Sequence, residues 1–126
     1  MANPPSILAS GHYDDKTQLV HAATVPGFTI TGVHMRNQNG VFEFSVDNTV
    51  GSVAAVIATS TGDYRGGTHN ANAYVREFSD TRFLIATIVK AEPPSVGYDL
   101  ATSSFHFAVL GVVGGFAGFA IPVDPN

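Results

Sequence analysis

The sequence predicts an all-β fold, a single-domain β-sandwich of jelly-roll type with eight or nine strands. Short stretches alternate between apolar and polar residues with a period of two, which is typical of half-buried strands. Turn-forming residues recur about once every dozen positions, and no stretch has the pattern of an amphipathic helix. With 126 residues, the chain is expected to form one domain over 1–126.

The clearest element is a hairpin over 28–47. On its second arm, Val-Phe-Glu-Phe-Ser-Val over 41–46 places phenylalanines on one face and polar side chains on the other. The polar turn over 37–40 ends in Asn39-Gly40, and these two residue types adopt a positive φ at the least steric cost. We therefore expect two antiparallel strands with a defined buried face.

The other elements follow in order. A first strand begins after Pro4-Pro5, since proline cannot donate to a ladder, and a turn over 14–16 leads into the second. The continuous apolar run 52–59 predicts a fully buried strand, although Ala54-Ala55 leaves a helical turn open. Besides the hairpin, strands are predicted over 7–13, 18–24, 52–59, 73–78, 82–90, 104–113 and 116–123, with a polar loop over 60–72 and a proline-rich crossover over 91–97.

Low charge favours self-association. Charged residues make up only 13% of the chain, against about a quarter in an average soluble domain. A surface so poor in charge is easier to understand if copies of the chain cover part of it. The six Lys and Arg residues are scattered and the net charge is −4, so we expect no nucleic-acid partner.

Two segments were considered as targeting or membrane signals, the first residues and the uncharged segment 107–123. The first residues lack the basic and apolar regions of a signal peptide, so secretory export is not expected. The uncharged segment 107–123 is very short for a membrane helix and contains four glycines. We interpret it as two strands joined at Gly114-Gly115, and we expect no membrane span.

Candidate chemistry is sparse. His12, Asp14 and Asp15 could supply ligands to a divalent ion, but a strand running into an acidic turn is the better account of them. Near the other end, Ser103 and His106 lie close in sequence without a nucleophile elbow, so core packing is the better account. With no cysteine either, we expect no catalytic residues, no metal site and no cofactor.

The loop over 61–72 is the candidate recognition site. Sugars are bound by aromatic faces together with planar hydrogen-bonding groups, and this loop carries both. A solvated connector and a loop that docks on a neighbouring subunit remain open as alternatives. The candidate ligand-binding residues are Asp63, Tyr64, Arg65, His69, Asn70 and Asn72.

The order of motifs resembles a known group. Ile30-Thr-Gly-Val33, a turn with Gly40, the strand Val-Phe-Glu-Phe-Ser-Val, the small-residue strand 54–59 and Thr102-Ser-Ser-Phe-His-Phe-Ala-Val109 are similar to small β-sandwich domains of bacteriophage tail fibres and related virion surface proteins. The closing strand over 105–111 also resembles that of C1q-like and tumour-necrosis-factor-like jelly rolls, including trimeric lectins.

The first resemblance implies a non-enzymatic virion structural protein of tail-fibre or capsid-decoration type. It would be made in the host cytoplasm, assemble as a homotrimer with other virion proteins as partners, and contribute to host-surface attachment by receptor binding. The second implies a stand-alone trimeric lectin that binds a cell-surface glycan.

Overall fold

A computed structural model describes residues 6–36, 40–61, 63–64, 67–68, 71–90, 97–113 and 120–124. Within these ranges the secondary structure consists of strands only, as the sequence predicts. The strands are β1 Ser6–Asp14, β2 Leu19–Thr24, β3 Phe28–Met35, β4 Val41–Asn48, β5 Gly51–Ser60, β6 Asp63–Tyr64, β7 Gly67–Thr68, β8 Ala71–Phe78, β9 Arg82–Lys90, β10 Tyr98–Leu100 and β11 Phe105–Val113.

Nine of the described strands form two antiparallel sheets. The first sheet has the order β2-β1-β11-β5, so the first and last strands of the chain pair at its centre. In the second sheet, β9 pairs with β8 along one edge, and with β4 and β10 along the other, and β3 lies outside β4. The two remaining strands, β6 and β7, pair only with each other. The predicted β-sandwich is confirmed.

One apolar core lies between the sheets. Phe42, Phe44 and Val46 of β4 are buried while Ser45 and Asp47 are exposed, which confirms the predicted alternation. The ring of Phe44 stacks on Phe83 of β9 with centroids 4.5 Å apart and lies 5.0 Å from Phe107 of β11. Both sheets therefore contribute aromatic rings to the same cluster.

Three turns are joined at one end of the sandwich. The Asn48 side-chain amide donates to the Asp80 carbonyl at 2.8 Å, and the Asp80 carboxylate accepts from the Val53 N–H at 2.9 Å. The Thr49 N–H donates to the Gly27 carbonyl at 2.8 Å. These bonds connect the β2–β3, β4–β5 and β8–β9 turns, and we call this the latched end.

The opposite end is held around Gly40 and Thr87. Gly40 has a positive φ of 100°, and a Cβ there would lie 2.8 Å from the Ala101 nitrogen. Thr87 is fully buried: its hydroxyl donates to the Ala101 carbonyl at 2.6 Å and its N–H donates to the Gly40 carbonyl at 2.7 Å. A glycine is required because the turn after β3 lies against the backbone that follows β10. The predicted positive φ at Gly40 is confirmed.

Two sequence predictions need correction. The strand over 52–59 was expected to be fully buried, but its side chains alternate between half-buried and exposed. One face of its sheet points away from the core, and β5 is an edge strand, so its inward side chains are covered only in part. The strand predicted over 116–123 is not formed at 120–124, where Ile121 and Val123 are 74% and 90% exposed. Pro122 there has no N–H for a ladder, and both sides of β11 are already paired. The Gly114-Gly115 turn lies outside the described residues.

Other predicted segments differ in detail. The segment 60–72, predicted as a loop, contains the short β6–β7 ladder, in which Asp63 pairs with Thr68 and Tyr64 with Gly67. The predicted crossover over 91–97 lies outside the described residues except for Gly97. Across the described part of the chain, no helix has the length and apolar character needed to cross a membrane.

Candidate functional sites: an uncharged sheet face and a cleft

The outer face of the first sheet is almost free of charge. Strand register identifies its side chains, because directly paired residues point to the same side of a sheet. Of these residues, Asp14 at the rim is the one that carries a formal charge. The face comprises Ile7, Ser10, His12 and Asp14 of β1, Leu19, His21 and Ala23 of β2, His106, Ala108 and Leu110 of β11, and Ala55, Ile57 and Thr59 of β5.

Large apolar side chains on this face are open to solvent. Ile7 and Ile57 are 58% and 50% exposed, and Leu19 is 55% exposed. The residues between them are small or uncharged. Several exposed aliphatic side chains on one nearly uncharged sheet surface are unfavourable in contact with water.

Three histidines form a row across the same face. Register places His21 of β2 opposite His12 of β1, and His12 opposite His106 of β11. The His12 and His21 rings are stacked with centroids 5.0 Å apart, and the His12 and His106 centroids are 5.7 Å apart. The row therefore crosses three neighbouring strands of this face.

The outer face of the second sheet is different. Arg82 of β9 forms ion pairs with Glu43 of β4 at 3.2 Å and with Glu77 of β8 at 3.1 Å. All three side chains are on the solvent side of the sheet, between neighbouring strands. The two outer faces thus differ in polarity, and the first sheet has the one suited to burial.

A cleft of about 800 Å³ opens at the end opposite the latched end. β2 and β3 are both edge strands, and they separate as they run from their shared turn towards Leu19 and Met35. The cleft lies between them. It is lined by Tyr13, Asp15, Gln18, Leu19, Val20, Val33, Met35, Phe42, Leu100, Ala101 and Thr102.

Tyr13 and Asp15 form the polar centre of the cleft. The Tyr13 hydroxyl donates to Asp15 Oδ1 at 3.3 Å, and the Asp15 N–H donates to Ser104 Oγ at 2.9 Å. Burial, followed by the nearby carboxylate of Asp15, raises the pKa of Tyr13 to about 12. The phenol therefore stays protonated at neutral pH and holds Asp15 in one orientation.

The predicted recognition residues are only partly described. Arg65, His69 and Asn70 lie outside the described residues, and Asp63 and Tyr64 are described only through their backbone ladder. Asn72 is exposed on β8, opposite Ile88 of β9. Ser60, where β5 ends, pairs with Phe105 near the cleft, so the segment leaves the sandwich at the open end.

The other candidate residues do not converge. His12 lies on the outer face of the first sheet, whereas Asp15 lines the cleft. Among the described residues, no three His, Cys, Asp or Glu side chains are placed to hold a metal ion. Ser103 is fully buried, while His106 is exposed on the outer face, so the two do not form a nucleophile–base pair.

Comparison of the chain with protein-family models, with curated proteins and with solved structures finds no match. These comparisons assign the chain to no family.

Proposed function

We propose that this chain is a non-enzymatic structural subunit that assembles with copies of itself through the outer face of the first sheet. The observation that supports this most strongly is the polarity of that face, which has exposed Ile7, Leu19 and Ile57 and a single carboxylate at its rim. The placement in a virion, as a tail-fibre or decoration protein forming a homotrimer, rests on the sequence resemblance.

A second copy of the chain is the occupant that the charges favour. The whole chain carries a net charge of −4, so copies repel each other over most of their surface. The first sheet's outer face is where this repulsion is smallest. If this face is buried against the same face, or against another uncharged region, of a second copy, Asp14 is the one charged side chain of the face near the contact.

The test is the mass in solution. Light scattering at micromolar concentration should give a multiple of the chain mass of 13.2 kDa, and three times that mass for the trimer. Ile57→Lys should lower the mass to that of one chain, because it buries an unpaired charge in the contact. Tyr74→Lys is the matched control, since Tyr74 is 43% exposed on the outer face of the second sheet.

A single-chain mass for the unmodified protein would remove the proposal. Dissociation by Tyr74→Lys with no effect of Ile57→Lys would move the contact to the second sheet.

The alternative function is a trimeric glycan-binding lectin. It is favoured by the position of the segment 61–72, which leaves the sandwich at the same end as the cleft and contains all six candidate ligand-binding residues. This alternative needs the same assembly, with recognition added at the open end.

A further inference from the structure

The lining of the cleft selects its ligand by charge. Among the described residues that line it, Asp15 is the one with an acidic or basic side chain. An anion would meet this carboxylate without a compensating cation from these residues, whereas a cation would be attracted to it. The apolar part of the lining includes Phe42 of the core and Met35 and Val20, which pack against the core. The described lining therefore favours a cation with an apolar body.

Three of the residues that line the cleft carry an acceptor oxygen in their side chains. Asp15 and Gln18 belong to the β1–β2 turn, and Thr102 belongs to the segment after β10. The Thr102 hydroxyl donates to Met35 Sδ at 3.8 Å, so its oxygen can still accept. A primary ammonium has three N–H donors. A quaternary ammonium has none and would leave these acceptors unmatched.

The β1–β2 turn is strained where it meets the cleft. Gln18 has a φ of 59°, the only positive φ of a non-glycine residue in the described part of the chain. Its N–H donates to the Asp14 carbonyl at 2.8 Å, which closes the turn. Glycine would adopt this conformation at less cost, so the turn places a glutamine side chain at a position with a local conformational penalty, and such positions are often functional.

We propose that the cleft between β2 and β3 binds a primary alkylammonium compound, with its ammonium group at Asp15, Gln18 and Thr102 and its alkyl chain on Met35 and Phe42. The Tyr13 hydroxyl and the Ser104 side chain orient Asp15 before the ligand arrives. This site shares only Leu19 with the proposed contact, and the residues assigned to the ammonium group and the alkyl chain lie outside that contact.

Met35 provides a direct readout. The chain has two methionines, Met1 and Met35, so a ¹³C-methyl-methionine spectrum contains one signal from the cleft and one reference. We would titrate the full chain at pH 7 with hexylammonium, hexanol and hexanoate, which share a chain length and differ in head group. Hexylammonium should shift the Met35 signal saturably and at the lowest concentration, hexanol at higher concentration and hexanoate least.

Two variants separate the roles of charge and shape. Asp15→Asn should weaken hexylammonium binding about 10- to 100-fold, as for loss of a hydrogen bond to a charged group. Asp14→Asn is the matched control, because it makes the same charge change one residue away on the outer face. Gln18→Gly should weaken binding while keeping the fold, since glycine relieves the positive φ.

The proposal is overturned if no probe shifts Met35, if hexanol binds as tightly as hexylammonium, or if Asp14→Asn weakens binding as much as Asp15→Asn. A neutral hexose that shifts Met35 at lower concentration than hexylammonium would also overturn it, and would assign the cleft to the lectin alternative.

Discussion

His12 stacks on His21 across β1 and β2 at a centroid distance of 5.0 Å and an interplanar angle of 25°. With His106 on the other side of His12, three imidazoles cross a face that we propose is buried between copies. A charge introduced into this row would therefore lie inside the proposed contact without a partner.

The first prediction follows from this row: a positive charge added at its centre by His12→Lys should lower the mass of the assembly towards that of one chain, because it buries an unpaired charge in the proposed contact. Sedimentation velocity should show the change in mass, and His12→Gln, which adds no charge, is the matched control. If the His12→Lys variant stayed assembled while Ile57→Lys dissociated the chain, the histidine row would lie outside the contact.

Phe44→Ala should lower the free energy of unfolding by about 3–5 kcal/mol, because it removes a fully buried ring from the centre of the core. Glu43→Ala, one residue earlier, should lower it by less than about 1 kcal/mol. Glu43 loses only an ion pair with Arg82, whose side chain is 47% exposed. Denaturant midpoints measure both, and equal shifts would contradict the register of β4.

Tyr13 should make the fold lose stability in alkali. Its pKa is raised to about 12, mainly by burial, from an ordinary value of about 10. The contribution is therefore fully present below pH 10 and is lost between about pH 10 and pH 12, up to about 3 kcal/mol. Comparing Tyr13→Phe with the unmodified chain isolates this effect from other groups that titrate in that range. Parallel pH profiles would contradict the assignment.

Ser103→Ala should leave stability unchanged or raise it by up to about 1 kcal/mol. The Ser103 hydroxyl is fully buried and has no hydrogen-bond partner among the described residues. A buried hydroxyl without a partner costs desolvation free energy in the folded state. Its removal takes away that cost and breaks no hydrogen bond. Ser104→Ala is the contrasting variant, because Ser104 Oγ accepts from the Asp15 N–H at 2.9 Å. A thermal melt in which Ser103→Ala was the more damaging change would indicate a hidden partner.

Recognition by the segment 61–72 can be tested separately from assembly. Replacing Tyr64 and Arg65 with Ala should abolish binding to cells or glycans and change the melting temperature by only a few degrees, because the sequence predicts that these side chains lie outside the core. Normal binding with failed assembly would make the segment an inter-subunit contact.

The strands could be predicted because their signals are local. The alternation of apolar and polar residues around Phe44 predicts a strand from adjacent residues alone, and the glycine at position 40 predicts a positive φ at its own position. The structure confirms both. The position of β5 at a sheet edge could not be predicted in this way, because an apolar run reads the same whether one or both of its sides are paired. Edge position depends on topology, which is not a local property.

Neither functional candidate has a continuous sequence signature. The cleft brings together Asp15 and Thr102, which are far apart in the sequence. The histidine row brings together residues 12, 21 and 106, which become neighbours only through the strand register. One local pattern could have predicted the pairing of two histidines. His12 and His21 are equidistant from the centre of the β1–β2 turn, so a symmetric hairpin pairs them. A change of one residue in the length of the turn would shift the register and separate them.

The latched end has a further consequence for how the molecule opens. The hydrogen bonds of Asn48 and Asp80 join the β4–β5 connection, where the chain passes from one sheet to the other, to the turn after β8. At the other end, the described residues show no comparable hydrogen bonds between β2 and β3. Local unfolding begins where few interactions must break. Amide hydrogens of β2 and β3 should therefore exchange fastest near Val20 and Val33 and slowest near Thr24 and Phe28. In this order of opening, the two edge strands separate first at the cleft and last at the turn that joins them.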